Sequence, residues 1–230
     1  MTTYTWPSDF PVNQFEMRIA PNSRTFVSPY APASIQTIDL LGERWIITMT
    51  MPSTNNPVFG AHREAFFNRL QGQTNSVAIW HQKLTAPQGT LRGSIPVSWK
   101  TSGGATMNWT VARGAAMNWS AGSPVVVADI QQLANTGVIQ TIPGRTLLAG
   151  DPIGIGGQLV QIMATATANG SGLMAIEFQP RARQLIPAGA SVLWDRPTAN
   201  FILKPGTDGV PTSWVPGEIE GTSFDLIEIF

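Results

Sequence analysis

The two histidines of the chain are the first residues to test for chemistry. His62 stands beside Arg63 and Glu64 in a segment with helical spacing, and His81 ends a predicted strand. A protein metal site usually needs three or four ligands, and no cluster of His, Asp and Glu has a spacing that supplies them. Cysteine is absent, which excludes disulfides, thiolate nucleophiles and Cys-bound metals. We therefore expect neither a metal nor a cofactor.

Nucleophilic catalysis has no local signature in this chain. A Ser-His-Asp triad can be assembled from distant positions, so the sequence leaves it open, but no Gly-x-Ser-x-Gly turn occurs. The segment Gly154-Ile155-Gly156-Gly157 shares glycines with phosphate-binding loops. It lacks the Lys-Ser/Thr pair and the helix that should follow, so its composition favours a β-turn.

A pair of carboxylates for glycoside hydrolysis is a sharper alternative. Trp-rich β domains bind sugars, and a glycosidase needs two acids a few ångström apart. The candidate acids are Glu177, Asp195, Glu218, Glu220 and Glu228. No two of them occupy adjacent positions on one predicted face, which favours ordinary solvated carboxylates. We therefore expect that the chain is not an enzyme.

Nucleic-acid binding is not favoured by the charge pattern. Fourteen basic residues balance fourteen acidic ones, so no overall field attracts phosphates. Single-strand binding needs a basic groove with stacking aromatic rings. Between residues 124 and 197 the candidates for such a groove are four arginines and two aromatic residues: Arg145, Arg181, Arg183, Arg196, Phe178 and Trp194.

The composition is typical of a subunit that hides much of its surface. Charged residues are 12% of the 230-residue chain, about half the usual share. Eleven of the fourteen basic residues are Arg, and the chain has eight Trp; protein interfaces are enriched in both. The first ten residues have no signal-peptide pattern, and no apolar run is long enough to span a bilayer. We expect a protein kept in a cytosol or in a particle assembled there.

Three kinds of element are predicted before residue 88. Residues 1–33 form an irregular arm that contains Trp6 and Phe10. Residues 34–41 and 43–51 alternate between apolar and polar positions and predict a hairpin around Gly42. Asn56 and Pro57 then start a helix that ends at Gly72. Its predicted apolar stripe is Phe59, Phe66, Phe67 and Leu70, and its predicted outward residues are Arg63, Glu64 and Arg69.

The rest of the chain predicts a β insert within a discontinuous domain. Residues 88–122 are an irregular segment in which Ala-Thr-Met-Asn-Trp at 105–109 recurs as Ala-Ala-Met-Asn-Trp at 115–119. Residues 124–197 hold six short strand patterns separated by Gly-rich turns, which indicates a small barrel or sandwich. We predict one domain from 1–87 plus 198–230, with 88–197 inserted into it.

This order of elements resembles the distal tail protein family of long-tailed, siphovirus-type bacteriophages. The resemblance is carried by Gly42 to Trp45, the helix at 57–72, the segment Leu147 to Gln161, and the ending Phe224 to Ile229. In that family a domain related to the tail-tube protein forms a hexameric ring, and some members carry an oligonucleotide-binding-type barrel. The resemblance implies a mainly β fold with one helix, in which a tail-tube-like domain holds a small OB-like β-barrel module. The tandem Met-Asn-Trp segment is not part of this resemblance.

The resemblance implies a structural virion protein. It would be a distal tail or baseplate subunit whose homohexameric ring joins the tail tube to the tip complex. Expected partners are the tail-tube protein, the hub and tip proteins and the tape-measure protein; DNA would pass through without specific binding, and no membrane is involved. Assembly would take place in the host cytoplasm. The alternatives are a tail-tube or tube-terminator protein, or a carbohydrate-binding module for host recognition.

Two sets of site residues follow from this interpretation. The first set consists of aromatic and arginine side chains expected at interfaces between proteins: Trp6, Phe10, Arg44, Trp109 and Trp119. The second set consists of Asp225 and Glu228, which belong to a C-terminal segment that has no Lys or Arg after Lys204. We expect these two carboxylates to face the channel of the ring and to repel DNA phosphates.

Overall fold

The computed structural model describes residues 1–27, 35–91, 95–96, 99–100, 106–107, 120–121, 124–205, 209–210 and 212–229. Trp109 and Trp119 lie outside the described residues. The described part is mainly β, with one α-helix, α1 at Pro57–Leu70. The strands before the barrel are β1 Thr3–Thr5, β2 Gln14–Ala20, β3 Ser23–Val27, β4 Ile35–Asp39, β5 Arg44–Met51, β6 Ser76–Trp80, β7 Ile95–Pro96, β8 Trp99–Lys100, β9 Thr106–Met107 and β10 Ser120–Ala121. The later strands are β11 Val125–Val126, β12 Thr136–Gln140, β13 Thr146–Leu147, β14 Pro152–Ile155, β15 Gln158–Ile162, β16 Ala166–Thr167, β17 Leu173–Gln179, β18 Val192–Leu193, β19 Thr198–Leu203, β20 Trp214–Val215, β21 Glu218–Ile219 and β22 Thr222–Glu228.

Both ends of the chain build the first sheet. Its six strands lie in the order β1-β6-β19-β22-β5-β2, so the last strand, β22, is paired with β5 on one side and β19 on the other. The ending of the chain therefore closes a sheet whose other strands include β5 and β6. On β5, alternation places Trp45, Ile47, Met49 and Met51 on one buried face.

The predicted hairpin around Gly42 is wrong. Strand β5 pairs antiparallel with β2, from Ala20 opposite Arg44 to Gln14 opposite Thr50, while β4 pairs with β3. Leu41 and Gly42 have positive φ angles of 56° and 84° and lie where the chain passes from β4 to β5. Period-2 alternation identified both strands correctly, but alternation does not determine which strand pairs with which.

Helix α1 begins as the sequence predicts. The Asn56 side chain accepts hydrogen bonds from the backbone N–H groups of Val58 and Phe59 at 3.0 and 3.3 Å, and Pro57 occupies the first turn. The helix ends at Leu70, and Gln71 then adopts the left-handed conformation. The buried face contains Phe66, Phe67 and Leu70, which cover the apolar face of the first sheet.

The outward orientation predicted for Arg63 is wrong. Its side chain is buried, and it donates hydrogen bonds from Nη2 to the Glu220 carbonyl at 2.8 Å and from Nη1 to the Pro52 carbonyl at 3.4 Å. Burial lowers the pKa of this guanidinium. Arg63 precedes Phe66, Phe67 and Leu70 by three, four and seven residues, which is the spacing of one helix face. The arginine therefore ties the helix to the two loops beside it.

The second six-stranded sheet is a small, nearly closed barrel. Its order is β11-β12-β17-β15-β14-β18. Strand β18 returns to β11 through hydrogen bonds from Val126 N to Ala190 O at 2.9 Å and from Val192 N to Pro124 O at 2.6 Å. Apolar side chains fill the interior, among them Ile139, Ile153, Val160, Ile162, Met174 and Phe178. All six predicted strands are present, with shifted ends, which confirms a mainly β fold with a small barrel module.

Candidate functional site

A fully exposed two-stranded ribbon follows from the first sheet. Strands β3 and β4 pair from Ser23 opposite Asp39 to Val27 opposite Ile35, and all ten of their residues are exposed. The ribbon continues the β2–β5 pair beyond the edge of the first sheet, because β3 follows β2 and β4 precedes β5. We call β3 and β4 together the ribbon.

Both faces of the ribbon carry exposed apolar side chains, and one face carries an apolar strip. Residues directly opposite in an antiparallel pair share a face, so Arg24 and Ile38 lie on the same side as Phe26, and Leu40 continues that side. Phe26, Ile38 and Leu40 are 52%, 50% and 47% exposed. The opposite face carries the Thr25–Thr37 pair and the Val27–Ile35 pair, in which Val27 is 58% and Ile35 63% exposed. A soluble protein rarely leaves such a contiguous apolar strip uncovered unless another surface binds it.

An arginine from the barrel holds the base of the ribbon. The Arg181 guanidinium lies 3.4 Å from Asp39 Oδ2 and 3.5 Å from Glu43 Oε1. Asp39 ends the ribbon and Glu43 precedes β5, so the two contacts fix the point where the ribbon leaves the sheet. Glu43 is buried whereas Asp39 is half-exposed. The orientation of the ribbon therefore depends on the barrel.

A buried ion pair joins the first sheet to the barrel. Glu228, on β22, is 2% exposed. Its Oε2 atom accepts a hydrogen bond from Trp45 N at 3.0 Å and one from Arg183 Nη2 at 3.0 Å. Burial raises the pKa of Glu228 to about 7, although the Trp45 N–H and Arg183 act in the opposite direction. Burial also lowers the pKa of Arg183.

We call the contact region formed by Trp45 and Glu228 of the sheet and by Leu159 and Arg183 of the barrel the seam. A hydrogen bond and an apolar contact complete it. The Trp45 indole N–H donates to the Leu159 carbonyl at 2.9 Å, and the Leu159 side chain is buried in the core of the first sheet. The next residue, Val160, points into the barrel instead. Strand β15 is therefore apolar on both faces because each face contributes to a different core.

A cavity of about 400 Å³ opens beside the seam. It is lined by residues from both units, including Thr3, Ser76, Gln158, Asn200, Arg183 and Glu228. The ionisable side chains in the lining are Arg183 and Glu228, which neutralise each other. The cavity therefore lacks the two separate carboxylates that glycoside hydrolysis uses.

Apart from the neighbours Glu218 and Glu220, the acids considered for hydrolysis lie in different parts of the described chain. Glu177 is opposite Thr136 on the barrel, and Asp195 follows β18. Glu218 and Glu220 lie in and just after the β20–β21 hairpin. Glu228 lies at the seam. Within the described residues, His, Asp and Glu side chains form no group of three that fits a metal ion.

The histidines take structural positions in the described chain. His62 Nδ1 lies 3.5 Å from Asp9 Oδ2 on the surface. His81 Nδ1 accepts hydrogen bonds from the backbone N–H groups of Lys83 and Leu84 at 3.3 and 2.9 Å. Burial lowers the pKa of His81. These bonds shape the turn that follows β6.

Trp6 and Phe10 are core residues, which corrects their prediction as interface residues. They are 2% and 4% exposed, and their ring centroids lie 5.7 and 5.4 Å from that of Phe66 on the helix. The aromatic arm packs on its own sheet because a short irregular segment gains most by covering the nearest apolar surface. Arg44 is exposed on β5, and its role at an interface stays a prediction. Trp109 and Trp119 lie outside the described residues.

The channel-facing prediction is wrong for Glu228. Residues three apart on a strand point to opposite faces, so Asp225 and Glu228 cannot face the same channel. Glu228 is buried on the barrel side. Asp225 lies on the other face, where it accepts hydrogen bonds from Thr48 at 2.8 Å and Lys204 at 3.1 Å. Hydrogen bonds from Thr48 and then Lys204 lower the pKa of Asp225. Its exposure to a channel stays a prediction.

Sequence reasoning missed the seam residues. The charge pattern interprets Arg183 as a base for nucleic acid, although an arginine beside a barrel strand also suits a buried carboxylate. The adjacent pair Leu159-Val160 offers a local signal, because two neighbouring apolar residues on a strand indicate burial on both faces. The partner of each side chain has no local signal, since Trp45 and Leu159 are 114 residues apart.

No protein-family model matches the chain, and no curated protein matches it significantly. In the described part of the chain, no helix has the length and apolar character needed to cross a membrane.

Proposed function

We propose that this chain is a structural virion protein, a distal tail or baseplate subunit whose homo-oligomeric ring joins a tail tube to a tip complex. The observation that carries the proposal is the ribbon. An isolated two-stranded ribbon is at best marginally stable in water, and this one exposes Phe26, Ile38 and Leu40 on one side. A neighbouring subunit that covers this side would stabilise the ribbon.

The composition supports the same conclusion. A chain that is 12% charged has few groups with which to keep a large surface in water. Repeated contacts around a ring remove such a surface from solvent in every subunit. The hexameric state and the position between tube and tip follow from the resemblance of the sequence to the distal tail proteins.

The oligomeric state tests the proposal directly. Light scattering after size exclusion at micromolar concentration should give a multiple of the 24.8 kDa chain mass, and electron micrographs should show closed rings. Ile38→Ser should release monomers that keep the wild-type circular dichroism. Leu185→Ser is the matched control, since Leu185 on the barrel is 51% exposed and Ile38 is 50% exposed. A wild-type protein that stays monomeric would overturn the proposal.

Labelled antibodies distinguish the ring candidates within a virion. A distal tail protein should be labelled at the tip alone. A tube protein would be labelled along the tail, and a tube terminator at the end next to the head. Either of the last two patterns would replace the distal assignment with the corresponding alternative.

A further inference from the structure

Three consecutive barrel residues, Arg181, Ala182 and Arg183, form a segment that the barrel holds firmly. Ala182 is fully buried, and its backbone N–H donates to the Ala134 carbonyl at 2.8 Å. Gln158 on β15 braces both neighbours, because its Nε2 donates to the Arg181 carbonyl at 2.9 Å and its Oε1 accepts from the Arg183 N–H at 3.0 Å. The backbone from which each arginine side chain starts is therefore fixed by the barrel. We call these three residues the arginine clamp.

The two arginines of the clamp hold different parts of the molecule. Arg183 pairs with Glu228 on β22 at the seam, whereas Arg181 reaches Asp39 and Glu43 at the base of the ribbon. A guanidinium carries its N–H donors in a rigid plane, so one arginine can hold two carboxylates in fixed positions. Arg183 thus fixes the barrel on the sheet, and Arg181 fixes the ribbon relative to the barrel.

The chain between the ribbon and β5 has an uncommon backbone conformation. Leu41 and Gly42 have φ angles of 56° and 84°, a region that suits glycine but costs energy for leucine. The Leu41 N–H donates to Asp39 Oδ1 at 3.0 Å, and the Leu41 carbonyl accepts from Asn22 Nδ2 at 2.7 Å. A strained residue persists only where the contacts around it determine its conformation. The direction in which the ribbon leaves the sheet therefore depends on Asp39, the same carboxylate that Arg181 contacts.

From these contacts we infer that Arg181 is a positioning residue for subunit assembly, which holds the ribbon in the direction from which it meets the neighbouring subunit. The inference rests on the proposed ring and assigns the barrel a part in forming it. Without Arg181 the ribbon samples several directions, and only a fraction of its conformers presents Phe26 and Ile38 to the neighbour. The apparent affinity falls by that fraction. A ribbon that is already held in one direction loses less entropy on assembly.

Distances measured in the monomer test the first step. Because the chain has no cysteine, nitroxide labels attach only to introduced cysteines, here Thr37→Cys on the ribbon and Ser171→Cys on an exposed turn of the barrel. Pulsed electron resonance below the assembly concentration should give one narrow distance distribution for this pair. Arg181→Gln should broaden it, because the amide carries no charge to hold the two carboxylates.

A second label pair separates movement of the ribbon from movement of the whole barrel. Glu16→Cys on β2 replaces Thr37→Cys, with the barrel label unchanged. This distribution should stay narrow in Arg181→Gln, because Arg183 still holds Glu228. Arg145→Gln is the matched control, since Arg145 is another half-buried barrel arginine and donates to the Thr90 carbonyl at 2.9 Å. It should leave both distributions unchanged.

Assembly of the unlabelled, full-length variants tests the second step. Arg181→Gln should raise the concentration at half-assembly about fivefold, which corresponds to a fall of the docking-competent fraction to about a fifth. Arg181→Lys keeps the charge but cannot hold two carboxylates at once, so its value should lie between those of wild type and Arg181→Gln. Arg145→Gln should assemble as wild type does.

The outcomes separate this inference from the proposed function. Unchanged ribbon distances in Arg181→Gln overturn the inference, whether or not the chain forms rings. Weaker assembly without broadening also overturns it, because Arg181 would then act by direct contact with the neighbour. Broadening without weaker assembly overturns it while the ring stands. A wild type that stays monomeric at every concentration removes the proposed function and the inference with it.

Discussion

The two halves of one long hairpin have opposite environments. In the half formed by β2 and β5, side chains on β5 alternate between exposed and buried, and Trp45, Ile47 and Met49 lie in the core. In the other half, the ribbon, every residue is exposed. Both halves contain large apolar side chains, and only the first has a helix and a barrel strand against them. Under the proposed function, the exposed apolar residues of the ribbon are those that a neighbouring subunit would cover.

The sharpest test of this comparison is to truncate one isoleucine in each half. Ile47 is fully buried whereas Ile38 is 50% exposed. Ile47→Ala should lower the free energy of unfolding by about 2–5 kcal/mol, because it leaves a cavity in a packed core. Ile38→Ala should change it by no more than about 0.5 kcal/mol in the monomer. Urea titrations at a concentration below assembly measure both values.

Equal losses from the two truncations would contradict the comparison. They would mean that the ribbon face is already covered within its own chain. A loss from Ile38→Ala that appears only at concentrations where rings form would support it, because the lost contact would then belong to the neighbour.

How far the sequence determines this arrangement differs from element to element. Asn56-Pro57 predicts the start of the helix because capping is local, and period-2 alternation predicts the barrel strands. Strand alternation also places Asp225 and Glu228 on opposite faces, and helical spacing places Arg63 on the buried face of α1, so both corrections follow from local patterns. The pairing of β4 with β3 rather than β5, and the contact of Trp45 with Leu159, depend on packing between distant segments and have no local signal.

The seam beside the β2–β5 half of the hairpin predicts that the free energy of unfolding depends on pH. Burial raises the pKa of Glu228 to about 7 from 4.5, so between these values the folded state binds more protons than the unfolded chain. The free energy of unfolding should therefore fall as pH rises through this window. The expected loss is about 3 kcal/mol at about 1.4 kcal/mol per pH unit. Arg183 and Arg44 are the charged groups that act on this carboxylate, and Glu43 acts on Arg183.

Glu228→Gln isolates this contribution. The amide oxygen can still accept the Trp45 N–H bond, but the side chain no longer titrates. Urea titrations between pH 5 and 8 should show that the variant lacks the downward slope of wild type. Glu64→Gln, on the exposed side of the helix, should keep it. A slope that survives Glu228→Gln would assign the effect to another group.

The Trp45→Phe variant tests how strongly the seam holds the barrel to the first sheet. Trp45→Phe keeps an aromatic ring and removes the indole N–H that donates to the Leu159 carbonyl. The buried carbonyl then lacks a partner, which should cost about 1–3 kcal/mol of unfolding free energy. Amides of β15 should also exchange with solvent faster. Trp80→Phe, at a half-buried position on β6, is the control for lost ring area and should leave exchange in β15 unchanged.

The smallest expected effect concerns Asp225, which lies on the face of the first sheet opposite to Glu228. The Thr48 hydroxyl, and then Lys204, lower the pKa of Asp225, so its carboxylate contributes stability above the usual value near 3.8 and loses that contribution as pH falls below it. Asp225→Asn should cost less than about 1 kcal/mol at pH 7, because the side chain is 35% exposed and the pair is screened by water. Acid titrations followed by circular dichroism should show a weaker destabilisation of the variant than of wild type between pH 4 and 2.

Glu16→Gln is the control, since Glu16 lies on the same face with 59% of its side chain exposed. An identical acid transition in wild type and Asp225→Asn would show that the Thr48 and Lys204 contacts do not persist in solution, and would leave Asp225 as a free carboxylate on that face.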